Sequence, residues 1–177
     1  LQEYYFAEKK AAAASSAAEV AAATAATVSA DDAMRECLSI VRAFVRTMDN
    51  PQRDGGEGYL PDRYPGVRTA GHHMVVLRLL TQLLRRATAA EEHRQVWEAR
   101  DELEALQARM VDAIMVKFYN PRYDLNNEAL AHDYSRPDDG NEDFCYVGHA
   151  IEIFWMVCDE LQRRMEMRWL TQQKMKQ

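Results

Sequence analysis

Apolar side chains recur at helical spacing in four separate stretches of the chain. These stretches run from about Asp31 to Met48, Gly71 to Arg86, Ala90 to Phe118 and Gly148 to Trp169. No stretch alternates strictly between apolar and polar residues, as a half-buried strand does. Good helix formers also dominate the composition. The pattern therefore predicts an all-α fold.

The last of these helices is apolar around most of its circumference. One predicted face carries most of its large side chains, and the opposite side is apolar as well: Ile151, Phe154, Trp155, Cys158 and Leu161 against Met156 and Val157. A helix of this kind is usually enclosed by other helices. We therefore expect it to be buried.

Two long segments rich in loop-forming residues separate the helices, over Asn50–Thr69 and Asn120–Val147. Each leads into a helix whose first turn carries histidine, His72 and His73 in one and His149 in the other. Long loops in a compact domain are commonly functional. The candidate site therefore lies where these two helices begin.

The chain divides into four regions by composition. Residues 1–10 resemble the end of a helix, and 11–30 are an Ala-rich, low-complexity segment that we interpret as a surface insertion. Residues 31–170 contain the main helical domain, and 171–177 form a polar tail. The Ala-rich segment lacks the sustained run of bulky apolar residues that a membrane span needs.

Charge and cysteine content narrow the classes of function. The formal net charge is −6 and no basic stripe is present, which argues against a nucleic-acid partner. The three cysteines form no Cys-x-x-Cys pair, and their odd number argues against a disulfide framework. Together with the absence of a membrane-span pattern, this predicts a cytoplasmic protein.

His149 and Glu152 are the strongest candidates for chemistry. They lie three residues apart at the start of a helix, so both side chains project from the same side. A carboxylate that orients an imidazole is suited to general acid–base catalysis near neutral pH. The alternative is a structural histidine that caps the helix and contacts its own glutamate. Spacing alone leaves both readings open.

The sequence predicts no metal site and no cofactor. The remaining histidines and the cysteines lack the paired spacing of a zinc site. The acidic run Asp138–Asp143 has its glycine in the wrong position for a calcium-binding EF-hand loop and lacks the bidentate glutamate. A solvated turn is the simpler interpretation of that run.

Three segments resemble the N-acylglucosamine 2-epimerase family. Tyr146–Glu152 followed by Trp155 is similar to the family's Pro-Gly-His-x-x-Glu-x-x-Trp signature. Gly71–Leu77 resembles the opening of an inner helix in that family, and Asn127–Leu130 precedes an acidic loop in a similar layout. The resemblance covers Asp31 to about Met165.

The resemblance implies an (α/α)6 barrel, a six-hairpin toroid, of which this chain holds a central and incomplete part. The implied reaction inverts carbon 2 of a reducing sugar such as an N-acylglucosamine, through an enediolate. His149 matches the family's acid/base histidine, and Glu152 matches the residue that orients it. The remaining expected contacts to the sugar are His73, or His72 if the alignment shifts by one, together with Trp155 and Glu128.

The chain also departs from the family pattern. Val147 replaces the usual proline, Arg78 stands where many members carry glutamate, and no second catalytic histidine is recognisable after Met165. By the logic of that family, the chain holds one half of a two-histidine site. A fragment, a truncated gene model and a degenerate relative all stay open, as does a homodimer. The alternatives are an aldose–ketose isomerase, a catalytically incomplete helical interaction module, and a glycoside hydrolase using carboxylates of the loop Asp133–Asp143.

Overall fold

A computed structural model describes residues 29–53, 65–86, 94–138, 140 and 142–175. This part is mostly helical, which confirms the all-α prediction at the level of fold class. The helices are α1 (Ala30–Met48), α2 (Ala70–Arg86), α3 (Arg94–Glu98), α4 (Arg100–Asp112) and α5 (Val147–Lys174). The predictions for residues 1–10 and for nearly all of 11–30 lie outside the described residues.

Helix α1 begins and ends close to its predicted bounds because its capping signals are local. The Ser29 hydroxyl accepts a hydrogen bond from the backbone N–H of Asp32 at 3.1 Å, which satisfies one of the free donors at the helix start. Asp31 and Asp32 place negative charge near the positive end of the helix dipole.

The stretch predicted as one helix from Ala90 to Phe118 is divided in the structure. Helices α3 and α4 are separated at Ala99, and α4 continues into a π-helical turn over Ala113–Lys117. The backbone N–H of Phe118 closes that turn by donating to the carbonyl oxygen of Ala113 at 2.9 Å. Apolar periodicity does not show such a change of helix type, because it shifts the pattern by only one residue.

Short antiparallel strands connect the loops to the helix starts. Strand β1 (Arg68–Thr69) pairs with β4 (Ala129–Leu130), and β2 (Tyr119–Asn120) pairs with β3 (Leu125–Asn126). Strands of two residues are too short to show alternation in the sequence, so they were not predicted. The pairing of β1 with β4 brings the second loop to the first turn of α2.

Helix α2 lies at the centre of the described fold, packed against α4 and α5. Its buried apolar side chains meet those of the neighbouring helices in one continuous core, which includes Leu77, Leu80, Leu84, Leu103, Met110, Ile114, Phe118, Ile153 and Val157. This packing fixes the first turns of α2 and α5 next to each other.

A buried ionic network crosses the far end of the same core. Arg163 of α5 donates to Glu160 at 2.8 Å and to Glu104 of α4 at 2.9 Å, and both Arg163 and Glu160 are almost fully buried. The hydroxyl of Thr81 on α2 donates to Glu160 at 3.2 Å. Burial raises the pKa of Glu160, but the hydrogen bonds from Arg163 and Arg164 outweigh it and hold the pKa below its usual value.

The prediction that the last helix is enclosed was wrong for the described residues. The face of α5 that carries Ile153 and Val157 packs on the core, whereas Ile151, Phe154 and Leu161 on the opposite face are exposed. The helix also continues to Lys174, beyond the end predicted near Trp169. Among the described residues, no helix combines the length and apolarity needed to cross a membrane.

Candidate functional site

His149, in the first turn of α5, forms a dyad with Glu128. Its Nδ1 atom lies 2.9 Å from Oε2 of Glu128, whose side chain is 1% exposed, and the His149 side chain is 23% exposed. A carboxylate can only accept a hydrogen bond, so Nδ1 of the neutral ring carries the proton and donates it. The other ring nitrogen, Nε2, is then the basic atom, as a general base requires.

Main-chain hydrogen bonds on both sides hold Glu128 in place. Its backbone N–H donates to the carbonyl oxygen of Phe144 at 2.8 Å, and its own carbonyl oxygen accepts from the N–H of Ala70 at 2.9 Å. The second bond links Glu128 to the first residue of α2. These two hydrogen bonds fix the backbone of Glu128, so the position from which its side chain extends to His149 is set by the main chain.

Gly71 provides the space that the imidazole occupies. A Cβ atom at this position would lie 3.0 Å from Cε1 of His149, 3.3 Å from its Nδ1 and 3.5 Å from Oε1 of Glu128. The ring thus lies directly against the backbone of α2, where any larger residue would displace it. On another side, the Tyr146 ring meets the His149 ring edge-on, with centroids 4.7 Å apart.

Glu152 does not take the orienting position that the sequence suggested. Its side chain is exposed one turn further along α5, and it makes no hydrogen bond or ion pair with the other described residues. Glu128 contacts His149 instead, across a sequence separation of 21 residues. The sequence had placed Glu128 only among the sugar contacts, since no local spacing connects it to His149.

His73 is a core histidine with both ring nitrogens engaged. Nδ1 lies 2.8 Å from the carbonyl oxygen of Thr69, so it donates, and Nε2 therefore accepts from the Tyr134 hydroxyl at 3.1 Å. The ring also packs edge-on against Phe118. Burial lowers the pKa of His73 to about 4, so the ring is neutral near pH 7.

His72 is partly buried and packs away from the dyad, with its ring edge-on to Phe44 of α1 at a centroid distance of 5.3 Å. Its backbone N–H donates to the Thr69 hydroxyl at 3.2 Å, which caps the start of α2. The predicted contacts of His72 and His73 with a sugar stay predictions. The structure places both rings in packing positions.

Trp155 packs against Arg78 of α2. The guanidinium of Arg78 lies 4.8 Å from the centroid of the Trp155 ring and forms an ion pair with Asp159 at 2.8 Å. Arg85 pairs with the same carboxylate at 2.7 Å. Trp155 thus belongs to a cluster that joins α2 to α5, and its role in sugar binding stays a prediction.

The acidic loop is held by structural contacts around Asp143. Its carboxylate accepts from Asn120 at 3.0 Å and from Arg122 at 2.8 Å, and Arg136 lies 3.5 Å away. The hydrogen bond from Asn120, then the charge of Arg122, keep the pKa of Asp143 below its usual value. Among the described residues, no group of three His, Cys, Asp or Glu side chains could hold a metal ion.

The structure therefore brings together His149, Glu128, Gly71 and Tyr146, and it places Glu152, His72, His73 and Trp155 elsewhere on the same helices. Comparisons of the chain with protein-family models, with curated proteins and with solved structures found no match. The dyad is the described arrangement that is best suited to proton transfer.

Proposed function

We propose that this chain carries an acid/base site of a carbohydrate epimerase or isomerase, in which His149 moves the proton at carbon 2 of an open-chain aldose. The observation that carries the proposal is the 2.9 Å contact between Nδ1 of His149 and the buried carboxylate of Glu128. That contact selects Nε2 as the proton acceptor, and Glu128 stabilises the imidazolium that forms.

The proposed step breaks the bond between carbon 2 and its hydrogen. The proton passes to Nε2 of His149, and the electron pair moves toward the carbonyl at carbon 1, giving an enediolate. A proton returned to carbon 2 on the opposite face gives the 2-epimer. A proton returned to carbon 1, with the proton of the carbon 2 hydroxyl passed to the oxygen on carbon 1, gives the ketose. The first outcome needs a second acid across the sugar, whereas the second needs only His149 for the transfers at carbon, with solvent carrying the proton between the two oxygens.

One observation keeps the isomerase as a second candidate. Besides His149, the described histidines are His72, His73 and His132. The His72 ring packs against Phe44, and His73 has both nitrogens engaged. His132 lies 3.3 Å from the Gly66 carbonyl oxygen and 3.4 Å from the guanidinium of Arg68. None of the three is arranged as a second base. A single-histidine reaction is therefore the simpler use of the dyad within the part of the chain that the structure describes.

The resemblance to the N-acylglucosamine 2-epimerase family also supports the proposal. In an (α/α)6 barrel, the site lies where inner-helix N-termini and long loops meet. Here the dyad lies at the start of α5, against Gly71 in the first turn of α2 and beside the second loop. We propose that α2 and α5 are inner helices of such a barrel, and that a small reducing sugar is the substrate.

The test is proton exchange at carbon 2. The 177-residue chain is incubated in D₂O with N-acetylmannosamine, mannose and glucose, and deuterium at carbon 2 is followed by NMR together with product identity. We expect His149→Gln to lower the exchange rate by about 10²- to 10⁴-fold, the usual contribution of a general base. Glu128→Gln should lower it less, since Gln still accepts a hydrogen bond from Nδ1–H.

His132→Gln is the matched control, because His132 is partly buried and lies outside the dyad. Its exchange rate should stay within about twofold of the parent, since it removes no proton acceptor from the dyad. Exchange that persists in His149→Gln would refute the role of His149. No exchange with any of the three sugars, in a protein that unfolds cooperatively, would refute the carbohydrate assignment.

A further inference from the structure

The turn that follows β4 contains a strained residue. Tyr134 has a backbone φ of +66°, a left-handed conformation that an aromatic residue adopts only under constraint. The backbone N–H of Tyr134 donates to the carbonyl oxygen of Ala131 at 2.9 Å, and the N–H of Ala131 donates to the carbonyl oxygen of Ser135 at 2.9 Å. We name residues 131–135 the Tyr134 turn. Glycine would fit its backbone with less strain, so the tyrosine side chain has to compensate.

Three contacts hold the Tyr134 side chain in place. Its hydroxyl donates to Nε2 of His73 at 3.1 Å, and its ring meets the Phe118 ring edge-on, with centroids 5.9 Å apart. The guanidinium of Arg68 lies 4.6 Å from the centroid of the Tyr134 ring, within the range of a cation–π interaction. Together these contacts stabilise a conformation that the backbone alone disfavours.

Arg68 of β1 connects the Tyr134 turn to two helices. Its side chain is 10% exposed, and its Nε donates to the main-chain carbonyl oxygen of His132 at 2.6 Å. Its Nη1 lies 3.4 Å from Oδ1 of Asp49 at the end of α1, and the same carboxylate accepts from Arg109 of α4 at 2.9 Å. Because the bond to His132 uses the main chain, it does not depend on the imidazole of that residue.

The Tyr134 turn lies directly after the strand that positions Glu128. Strand β4 begins one residue after Glu128, and its two residues pair with Arg68 and Thr69 of β1. A ladder of two residues is marginal by itself, and a slip of one residue would turn every side chain to the opposite face of the strand. Glu128 would then point away from His149. The dyad therefore depends on what fixes the register of β4.

We propose that Tyr134 and Arg68 are positioning residues of the dyad, because they fix the turn after β4 and thereby the register that directs Glu128 toward His149. Before β4, the N–H of Glu128 is fixed by its bond to the Phe144 carbonyl oxygen at 2.8 Å. The segment from Glu128 to the turn is thus held at both ends. This inference rests on the function proposed above for the use of the dyad in proton transfer.

The test compares Tyr134→Gly with the parent in the 177-residue chain. Glycine keeps a favourable backbone for the turn but removes every contact of the tyrosine side chain. Two readouts report the register: the tautomer of His149 from ¹⁵N shifts, and hydrogen exchange of the Ala70 amide, which donates to the Glu128 carbonyl oxygen. We expect a mixture of both tautomers and at least about tenfold faster exchange of the Ala70 amide. The rate of proton exchange at carbon 2 should fall about 10- to 100-fold.

Two milder changes decide the question if Tyr134→Gly does not unfold cooperatively. Tyr134→Phe removes only the hydroxyl, so the Ala70 amide should exchange about two- to tenfold faster than in the parent. Arg68→Lys keeps the positive charge but loses the planar fork, whereas Arg68→Met loses both. Arg68→Lys should therefore retain more of the Nδ1–H tautomer of His149 than Arg68→Met does.

Asp124→Gly is the matched control. Asp124 also has a left-handed φ, of 53°, and it is an exposed residue of the β2–β3 hairpin, outside the Tyr134 turn. An exposed substitution of this kind changes stability little, so the Ala70 amide and the proton at carbon 2 should exchange within about twofold of the parent rates. The tautomer of His149 should stay that of the parent.

Three results would overturn the proposal. The first is a folded Tyr134→Gly variant that keeps the parent's tautomer. The second is a Tyr134→Phe variant whose Ala70 amide exchanges at the parent rate. The third is an equal effect of Asp124→Gly, since a general loosening of the loops would then explain the change. Neither register readout needs a sugar, so a parent that exchanges no proton at carbon 2 would refute the carbohydrate assignment while the tautomer and the Ala70 amide still judge the positioning role.

Discussion

Replacing Gly71 by alanine tests whether the backbone of α2 positions the imidazole of His149. The added Cβ atom would lie 3.0 Å from Cε1 of His149, about 0.5 Å inside an ordinary carbon–carbon contact. Gly71 lies in a helix that cannot move without disturbing the core, so the ring has to shift. A shift of that size stretches the 2.9 Å hydrogen bond to Glu128 toward about 3.4 Å, beyond the usual N–H···O range.

Gly71→Ala should therefore lower the activity clearly while changing the stability little. Alanine in a helix gains about 0.5–1 kcal/mol over glycine, and the weakened hydrogen bond loses a similar amount, so the net change in unfolding free energy stays within about 1 kcal/mol. The exchange rate at carbon 2 should fall about tenfold, because a displacement of about 1 Å at a catalytic group costs about 10²-fold.

The direct assay is the tautomer of His149, read from ¹⁵N chemical shifts of the imidazole. The parent should show the Nδ1–H form, and Gly71→Ala should show a mixture of both forms. Gly148→Ala is the matched control, because Gly148 also lies in the first turn of a helix and its added Cβ would meet only the Tyr146 ring, at 3.4 Å or more. An unchanged tautomer in Gly71→Ala would refute the positioning role of Gly71.

Two further predictions concern the core. Arg163→Met should lower the unfolding free energy by about 1.5–3 kcal/mol in urea denaturation, because Glu160 loses one of its two arginine partners while Arg164 still binds it. Adding Glu160→Gln should recover part of the loss, and a change below about 1 kcal/mol would contradict this. Folding lowers the pKa of His73 from 6.5 to about 4. Between these pH values the unfolded chain therefore binds a proton that the folded chain does not. The unfolding free energy should decrease as the pH falls from 6.5 to 4, by up to about 3 kcal/mol. His73→Gln should show a smaller loss between pH 7 and pH 4.5, and an equal loss would contradict the assignment to His73.

The sequence predicted the helices well because their signals are local. The Ser29 cap and the acidic first turn locate the start of α1, and apolar periodicity locates α2 and most of α5. The first turns of α2 and α5, which the sequence marked as the candidate site, lie against each other at Gly71 and His149. The positions of these helices depend on residues within a few positions of one another in the sequence. The types of those side chains are therefore enough to predict them.

The dyad itself was only partly predictable. His149 was identified from its place at a helix start, but its partner comes from a loop 21 residues earlier in the chain. Glu152 was preferred because helical spacing favours near neighbours. Glu128 reaches His149 only because its carbonyl oxygen binds the N–H of Ala70, and no pattern in the sequence reports that long-range contact.

The buried network of Glu160 and Arg163 was missed for a similar reason. Their spacing of three residues on a helix is equally typical of an exposed ion pair, and burial depends on Glu104 and Thr81 from two other helices. The face of α5 that carries Ile151, Phe154 and Leu161 led to the opposite error. Its apolar residues suggested enclosure, yet an apolar face shows only that a partner is favoured, and the partner need not lie in the same part of the chain.

The start of α5 lacks the usual local capping signals, and the side chain of His149 makes contacts in their place. Its capping residue Tyr146 makes no side-chain hydrogen bond to the helix, and Gly148 lowers helix propensity in the first turn. Two contacts compensate, the hydrogen bond from His149 to Glu128 and the edge-on packing of Tyr146 against the His149 ring. The same side chain that is proposed to move the proton therefore also secures the helix start. Substitutions of His149 must therefore be judged by the exchange and stability measurements together.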